Sequence, residues 1–160
     1  MKIRAERAGD QQAVHRLTED AFGQPDEARL IGMLRADGDV ALSLVAEEGG
    51  VLLGHVLFSP MAAPVRVLGL APLSVAPHCQ KQGIGALLVR KGLELARDTG
   101  WQAVFVLGDP GYYARFGFTS KAAEGFENPF AGPHFMALEL HQGALSTPFA
   151  VGYAPAFARL

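Results

Sequence analysis

Residues 70–107 constrain the fold more than any other stretch, because they pass from strand character to helical periodicity and back. "LAPLSVAP" (70–77) is an apolar run of strand length, and "HCQKQG" (78–83) breaks it with polar residues. From Gly83 to Asp98 the apolar residues recur at helical spacing. Ile84, Leu87, Leu88 and Leu95 share one face, Val89, Leu93 and Ala96 widen it, and Arg90, Glu94, Arg97 and Asp98 lie toward water. Gly100 stops this helix, and "AVFVL" (103–107) is continuous and short enough to be a core strand.

The flanking chain extends this pattern into an α/β layered domain. Lys2–Glu6 alternates polar and apolar residues as a half-buried strand does. Asp10 has the short carboxylate of a helix N-cap, ahead of Val14, Leu17 and Ala21 at helical spacing. Asp26–Arg35 predicts a second helix, joined to the first through Gly23-Gln24-Pro25 and ended by Gly38. Ala41–Glu47 and Val51–Phe58, with Glu48-Gly49-Gly50 between them, predict a hairpin, and Val65–Val75 a further strand. Asp109-Pro110 starts a short helix that carries Tyr112, Tyr113 and Phe116. Phe135–Leu140 and Phe149–Tyr153 are expected as late strands, with 125–133 as a loop.

Bulk properties exclude several classes of function. With 160 residues, 49% hydrophobic and 19% charged, the chain suits one globular domain spanning 1–160. A formal net charge of −2 creates no field that attracts a nucleic acid backbone or an anionic membrane, so an anion site has to be local. Cys79 is the one cysteine, which excludes an internal disulfide, and the N-terminal residues lack a signal-type apolar core. A cytoplasmic location is expected. His15, His55, His78, His134 and His141 show no metal-ligand spacing, so no metal is expected.

Glycines at the head of a helix let its unpaired amides approach an anion, with the positive end of the helix dipole behind them. Gly83-Ile84-Gly85 lacks the Lys-Ser/Thr pair of a P-loop, and Leu88 stands where a dinucleotide fingerprint needs its third glycine. The pattern that remains is Gln80-Lys81-Gln82-Gly83-Ile84-Gly85, which resembles the acetyl-CoA pyrophosphate loop of the GNAT acyltransferase superfamily. "YYARFGF" (112–118) resembles that family's Tyr-x-x-x-Gly-Phe signature at Tyr113, Gly117 and Phe118, in the right order after the loop. "LGDPGYYARFGF" and "GYAPAF" (152–157) look most like a small bacterial subgroup, the YhbS-like proteins.

The resemblance implies a GNAT fold, an α/β (α+β layered) arrangement with helices on both faces of a mixed, mostly antiparallel central sheet, and acetyl transfer from acetyl-CoA to an amine by direct attack. The amides of Gln80, Lys81, Gln82, Gly83, Ile84, Gly85 and Ala86 would hold the CoA pyrophosphate, Gln80 would steady the loop, and Leu73, Ser74 and Val75 would pair with pantetheine as an added strand would. Tyr113 matches the position of the proton donor. No base is assigned, since Leu68–Val75 contains no carboxylate; a water relay, Ser74, Glu47 and Asp109 stay open. Many family members have Asn and Ala upstream of the tyrosine, where this chain has Val106 and Asp109. The acceptor, a small amine or a peptide or protein amine, is expected where the first two helices and "FGQPDEARL" (22–30) meet loop 120–134, with Phe126, Phe130 and Phe135 as an apolar wall and Asp26, Glu27 and Glu124 as acidic neighbours. A CoA-binding sensor without turnover is the alternative, and a monomer or homodimer is expected.

Overall fold

The computed structural model describes residues 1–160. The sheet has six strands in sequence order: β1 (Lys2–Ala5), β2 (Leu42–Glu48), β3 (Val51–Pro60), β4 (Val67–Val75), β5 (Ala103–Leu107) and β6 (Phe135–Glu139). All neighbours are antiparallel except β4 and β5, which are parallel. A parallel pair needs a crossover, and α3 (Ile84–Asp98) supplies it on one face. Helices α1 (Gln11–Phe22) and α2 (Asp26–Asp37) cover the other. The α3 side buries Val56, Phe58, Leu68 and Leu88 together; on the α1/α2 side Val14, Ile31 and Leu34 pack on Val45 and Leu57.

Period-two alternation along β3 sets this division, because Gly54, Val56 and Phe58 face α3 while His55 and Leu57 face α1 and α2. The helix comes close to the sheet at Gly92, where a Cβ would stand 2.3 Å from the Phe58 ring. Burial on α3 follows Ile84, Leu88, Gly92 and Ala96 with Gly85, Val89 and Leu93. Leu87, expected on the inner face, lies at the edge of this stripe and is 47% exposed.

Two other expectations change. Asp10 does not cap α1. Its carboxylate accepts from both terminal nitrogens of the Arg4 guanidinium at 2.7 and 3.0 Å and from the Arg7 amide at 2.7 Å, and a charge-assisted two-point pair outweighs a cap. Phe149–Tyr153 is not a strand. Gly152 forms an isolated bridge with Ala62, while Phe149 meets Phe126 edge-on and Tyr153 lies against Phe135, so aromatic burial rather than a ladder holds the segment. The edge of β6 is already met by Thr119, which bridges to Ala137.

Candidate functional site: a cleft at the head of α3

Pairing between β4 and β5 covers Val67, Leu68 and Gly69 against Ala103, Val104 and Phe105. From Leu70 to Val75, β4 therefore has a strand neighbour on one side only, and the sheet parts. At the far end of β4 the chain turns through Pro77–Cys79 and reaches α3 by way of Lys81 (φ +64°) and Gly83 (φ +86°). The left-handed conformation is natural at Gly83 and uncommon at Lys81, the kind of local strain that gathers at binding sites. The Gln80 side-chain amide donates to the Val75 carbonyl at 3.1 Å and ties the loop to the strand.

Helix α3 starts without a side-chain cap. Leu87 donates to the Gly83 carbonyl at 3.1 Å as the helix's first internal bond, so the amides of Ile84, Gly85 and Ala86 point outward along the dipole. They open on a cleft of about 360 Å³, within the range typical of small-molecule sites. Leu73 and Val75 of β4 form its floor, Cys79, Gln80, Lys81, Gly83, Ile84, Gly85 and Ala86 its head, and Tyr112 and Arg115 its far wall. Most of the expected residues thus meet in one place. Gln82 does not line the cleft, and Ser74 turns its side chain to the opposite face of the sheet, beside His55.

Helix α4 (Pro110–Tyr113) sets the two tyrosines at different depths. Asp109 Oδ1 caps it by accepting from the Gly111 amide at 3.1 Å. The Tyr112 hydroxyl reaches α3, 2.9 Å from where a Cβ on Gly85 would stand. Arg115 donates to the Tyr112 carbonyl at 2.9 Å and stacks its guanidinium 4.4 Å over the Tyr112 ring, which leaves a second cation beside Lys81 at the cleft. Tyr113 instead lies over Gly108 at the end of β5, where a Cβ would come 2.7 Å from its ring, and meets Phe118 edge-on at 5.9 Å. Burial pushes its phenol up to about 12, and burial also raises Tyr112, against the opposing charges of Arg115 and Arg90. Arg115 was missed in the sequence, and Tyr112 was weighed there only as the neighbour of the preferred Tyr113; their spacing of one helical turn is the signal that could have paired them.

Other expected residues have structural partners. Glu47 pairs with Arg4 at 2.7 Å, Asp26 with Arg29 at 3.6 Å, and Glu27 with the Gln24 amide. Phe126 and Phe135 are core residues against Phe105, the first edge-on and the second stacked, so of the expected apolar wall only Phe130 is exposed. No group of three or more His, Cys, Asp or Glu residues is arranged to hold a metal ion, and no helix is long and apolar enough to cross a membrane.

An acyl-CoA-type loop, a parted β4–β5 pair and a tyrosine after β5 agree with the comparisons. The profile of the Acetyltransferase (GNAT) family matches residues 11–118. The chain belongs to the GNAT family. This GNAT chain is 38% identical over 126 residues to the uncharacterized N-acetyltransferase YhbS of Escherichia coli K12, covering 76% of the chain and 75% of that relative. The crystal structure of E. coli YhbS in complex with CoA superposes with a TM-score of 0.93 at 34% identity, over 99% of this chain and 92% of that one. A GNAT acetyltransferase from Brucella melitensis in complex with acetyl-CoA gives 0.82 at 36% identity, over 98% and 97%. The GNAT chain described here is an acyltransferase with the GNAT fold, as its signature motifs imply.

Proposed function

We propose that this chain transfers the acetyl group of acetyl-CoA to an amine by direct attack within a ternary complex. The uncapped head of α3, facing a cleft that runs along the unpaired part of β4, carries the reading. The amides of Gly83, Ile84, Gly85 and Ala86 are suited to a pyrophosphate, with Gln80, Lys81 and Gln82 shaping the loop, and Arg115 adds a charge on the opposite wall. Leu73, Ser74 and Val75 offer backbone groups to pantetheine in the manner of an added strand. Two relatives were crystallised with CoA or acetyl-CoA, which supports the same co-substrate here.

In this reading the thioester lies where β4 and β5 part, with Tyr113 above it at the end of β5. The neutral nitrogen attacks the carbonyl carbon, the C–N bond forms, and the C–S bond then breaks. A phenol near 12 stays protonated at every physiological pH, but outright donation to a thiolate of pKa about 8.5 is uphill. Tyr113 therefore works best by giving its proton to sulfur while it takes one from the nitrogen of the collapsing intermediate, so phenolate charge never accumulates. The acceptor is a small amine or a peptide or protein amine, approaching from the α1/α2 face, and dependence on acetyl-CoA together with a single reduced Cys79 fits a cytoplasmic protein.

The lining of the cleft includes no carboxylate, which favours a second reading, a CoA-binding sensor. Calorimetry with CoA, and thiol release from acetyl-CoA across a panel of polyamines, lysine peptides and free peptide N-termini, separate the two. Tyr113→Phe is expected to keep CoA affinity and to lower turnover about a hundredfold. Binding without turnover on any amine supports the sensor, and no CoA binding at millimolar concentration refutes both.

A further inference from the structure

Resting on that acetyltransferase reading, the cleft has two anions to receive, because CoA carries a diphosphate and, on its ribose, a separate 3′-phosphate. The head of α3 offers neutral donors: the amides of Ile84, Gly85 and Ala86 have no partner within the helix, and the dipole stands behind them. A diphosphate linkage holds about one charge on each phosphorus, which such a row of amides suits. A phosphate monoester is more demanding. With a second pKa near 6 it carries about −1.5 to −2 charges at neutral pH, and a full cation with a planar fork of donors meets it best.

The opposite wall holds such a cation, and holds it still. Arg115 is exposed, yet its Nε donates to the Tyr112 carbonyl at 2.9 Å and its guanidinium lies 4.4 Å over the Tyr112 ring. That ring is itself wedged, edge-on to Tyr113 at 5.0 Å and to Phe116 at 5.5 Å, with its hydroxyl against Gly85 of α3. An exposed arginine ordinarily keeps its rotamer freedom or takes a carboxylate, as Arg4, Arg29, Arg35 and Arg159 do here. Arg115 has no carboxylate partner, and neither of its terminal nitrogens makes a hydrogen bond. It thus brings two unpartnered guanidinium nitrogens to a cleft of about 360 Å³ whose other wall is the head of α3. The remaining cations are placed differently. Lys81 belongs to the loop at the head of α3, and Arg90, outside the cleft lining, lies 5.1 Å over the Phe116 ring and adds only to the field.

We propose that Arg115 selects the co-substrate by its 3′-phosphate, and that Tyr112 is a positioning residue that holds the guanidinium ready for it. The diphosphate then belongs to the α3 wall and the monoester to the Arg115 wall. A guanidinium already laid on a ring and tied to a carbonyl loses little further freedom when it meets the phosphate, so its two free nitrogens bind at low entropic cost. The consequence is a choice of acyl donor. The chain takes its acyl group from free CoA thioesters and discriminates against a phosphopantetheine arm carried on a protein, which has the same thioester and no 3′-phosphate.

Calorimetry with CoA and 3′-dephospho-CoA, which differ only in the monoester, tests the assignment without turnover. The unaltered chain is expected to bind CoA about tenfold more tightly than the dephospho form. Arg115→Gln should lower CoA affinity about tenfold and leave 3′-dephospho-CoA unchanged, so that the preference disappears. Arg115→Lys keeps the charge without the fork and should retain a preference of about threefold. Tyr112→Leu should cut the preference to a similar extent, and Tyr112→Phe, which keeps the ring and the backbone carbonyl, should restore it. Equal binding of the two ligands by the unaltered chain overturns the proposal. So does an Arg115→Gln variant that weakens both ligands equally, which would put the arginine on the diphosphate or the adenine, and so does a preference that disappears in Arg90→Gln instead. An unchanged preference in Tyr112→Leu refutes the positioning role. If the unaltered chain binds neither ligand at millimolar concentration, the acetyltransferase reading itself falls, an outcome distinct from equal binding.

Discussion

Replacing Glu6 by Gln tests its cluster of polar contacts as a source of stability. The Glu6 side chain is 8% exposed; burial works against its charge, but hydrogen bonds with His55 and Ser43 and the charge of Arg35 prevail and lower its pKa from 4.5 to about 2. At roughly 1.4 kcal/mol per pH unit this depression corresponds to about 3 kcal/mol, and water in the surface cleft that Glu6 and Arg35 line trims it to about 2. A lowered acidic group stabilises the fold fully above its unfolded value, and that contribution drains away as pH falls from 4.5 toward 2. Urea unfolding of both proteins at pH 7, 4.5, 3 and 2 reads it directly. Glu6→Gln should be less stable by about 2 kcal/mol at pH 7, with the gap narrowing below pH 4.5 and nearly gone at pH 2. Asp10 is also held down to about 2, chiefly by its hydrogen bond from Arg4, but it is common to both chains and cancels. A gap that stays constant with pH would refute the electrostatic account and leave only a packing defect.

Gly83→Ala places a side chain at φ +86°, costing about 1 kcal/mol of stability, and is expected to weaken CoA binding about tenfold in calorimetry by turning the first amides of α3. Gly92→Ala drives a methyl to 2.3 Å from the Phe58 ring and should lower the urea midpoint by the equivalent of about 1 to 3 kcal/mol, and Phe58→Leu in the same chain should recover part of that loss.

Local pattern made β4, α3 and β5 legible: α3 buries one face at helical spacing, while β4 and β5 are apolar runs of strand length that the fold covers on both sides. The cleft head was legible too, since Gln80 to Ala86 are contiguous and the helix they start has no cap. Asp10 was misread because Arg4, six positions back, competes for its carboxylate, and such a competition shows only once β1 has turned into α1. Phe149–Tyr153 has strand composition, but its aromatics are held by Phe126 and Phe135, which only the folded sheet brings beneath them. Glu6, Ser43, His55 and Ser74 were the least visible. Glu6 follows β1 and the others lie on β2, β3 and β4, and only the registers of β1 on β2, β2 on β3 and β3 on β4 bring them to one face.

A sheet that separates along one seam, after Gly69 and Phe105, is a partition with a slot in it. In the proposed ternary complex, occupants of its two sides would meet at the slot without crossing paths, and neither would have to depart for the other to arrive. On that proposal, drift in α1, α2 and the 120–134 loop would retune which visitor is welcomed on the helical side, while the nucleotide seat behind the partition is left alone.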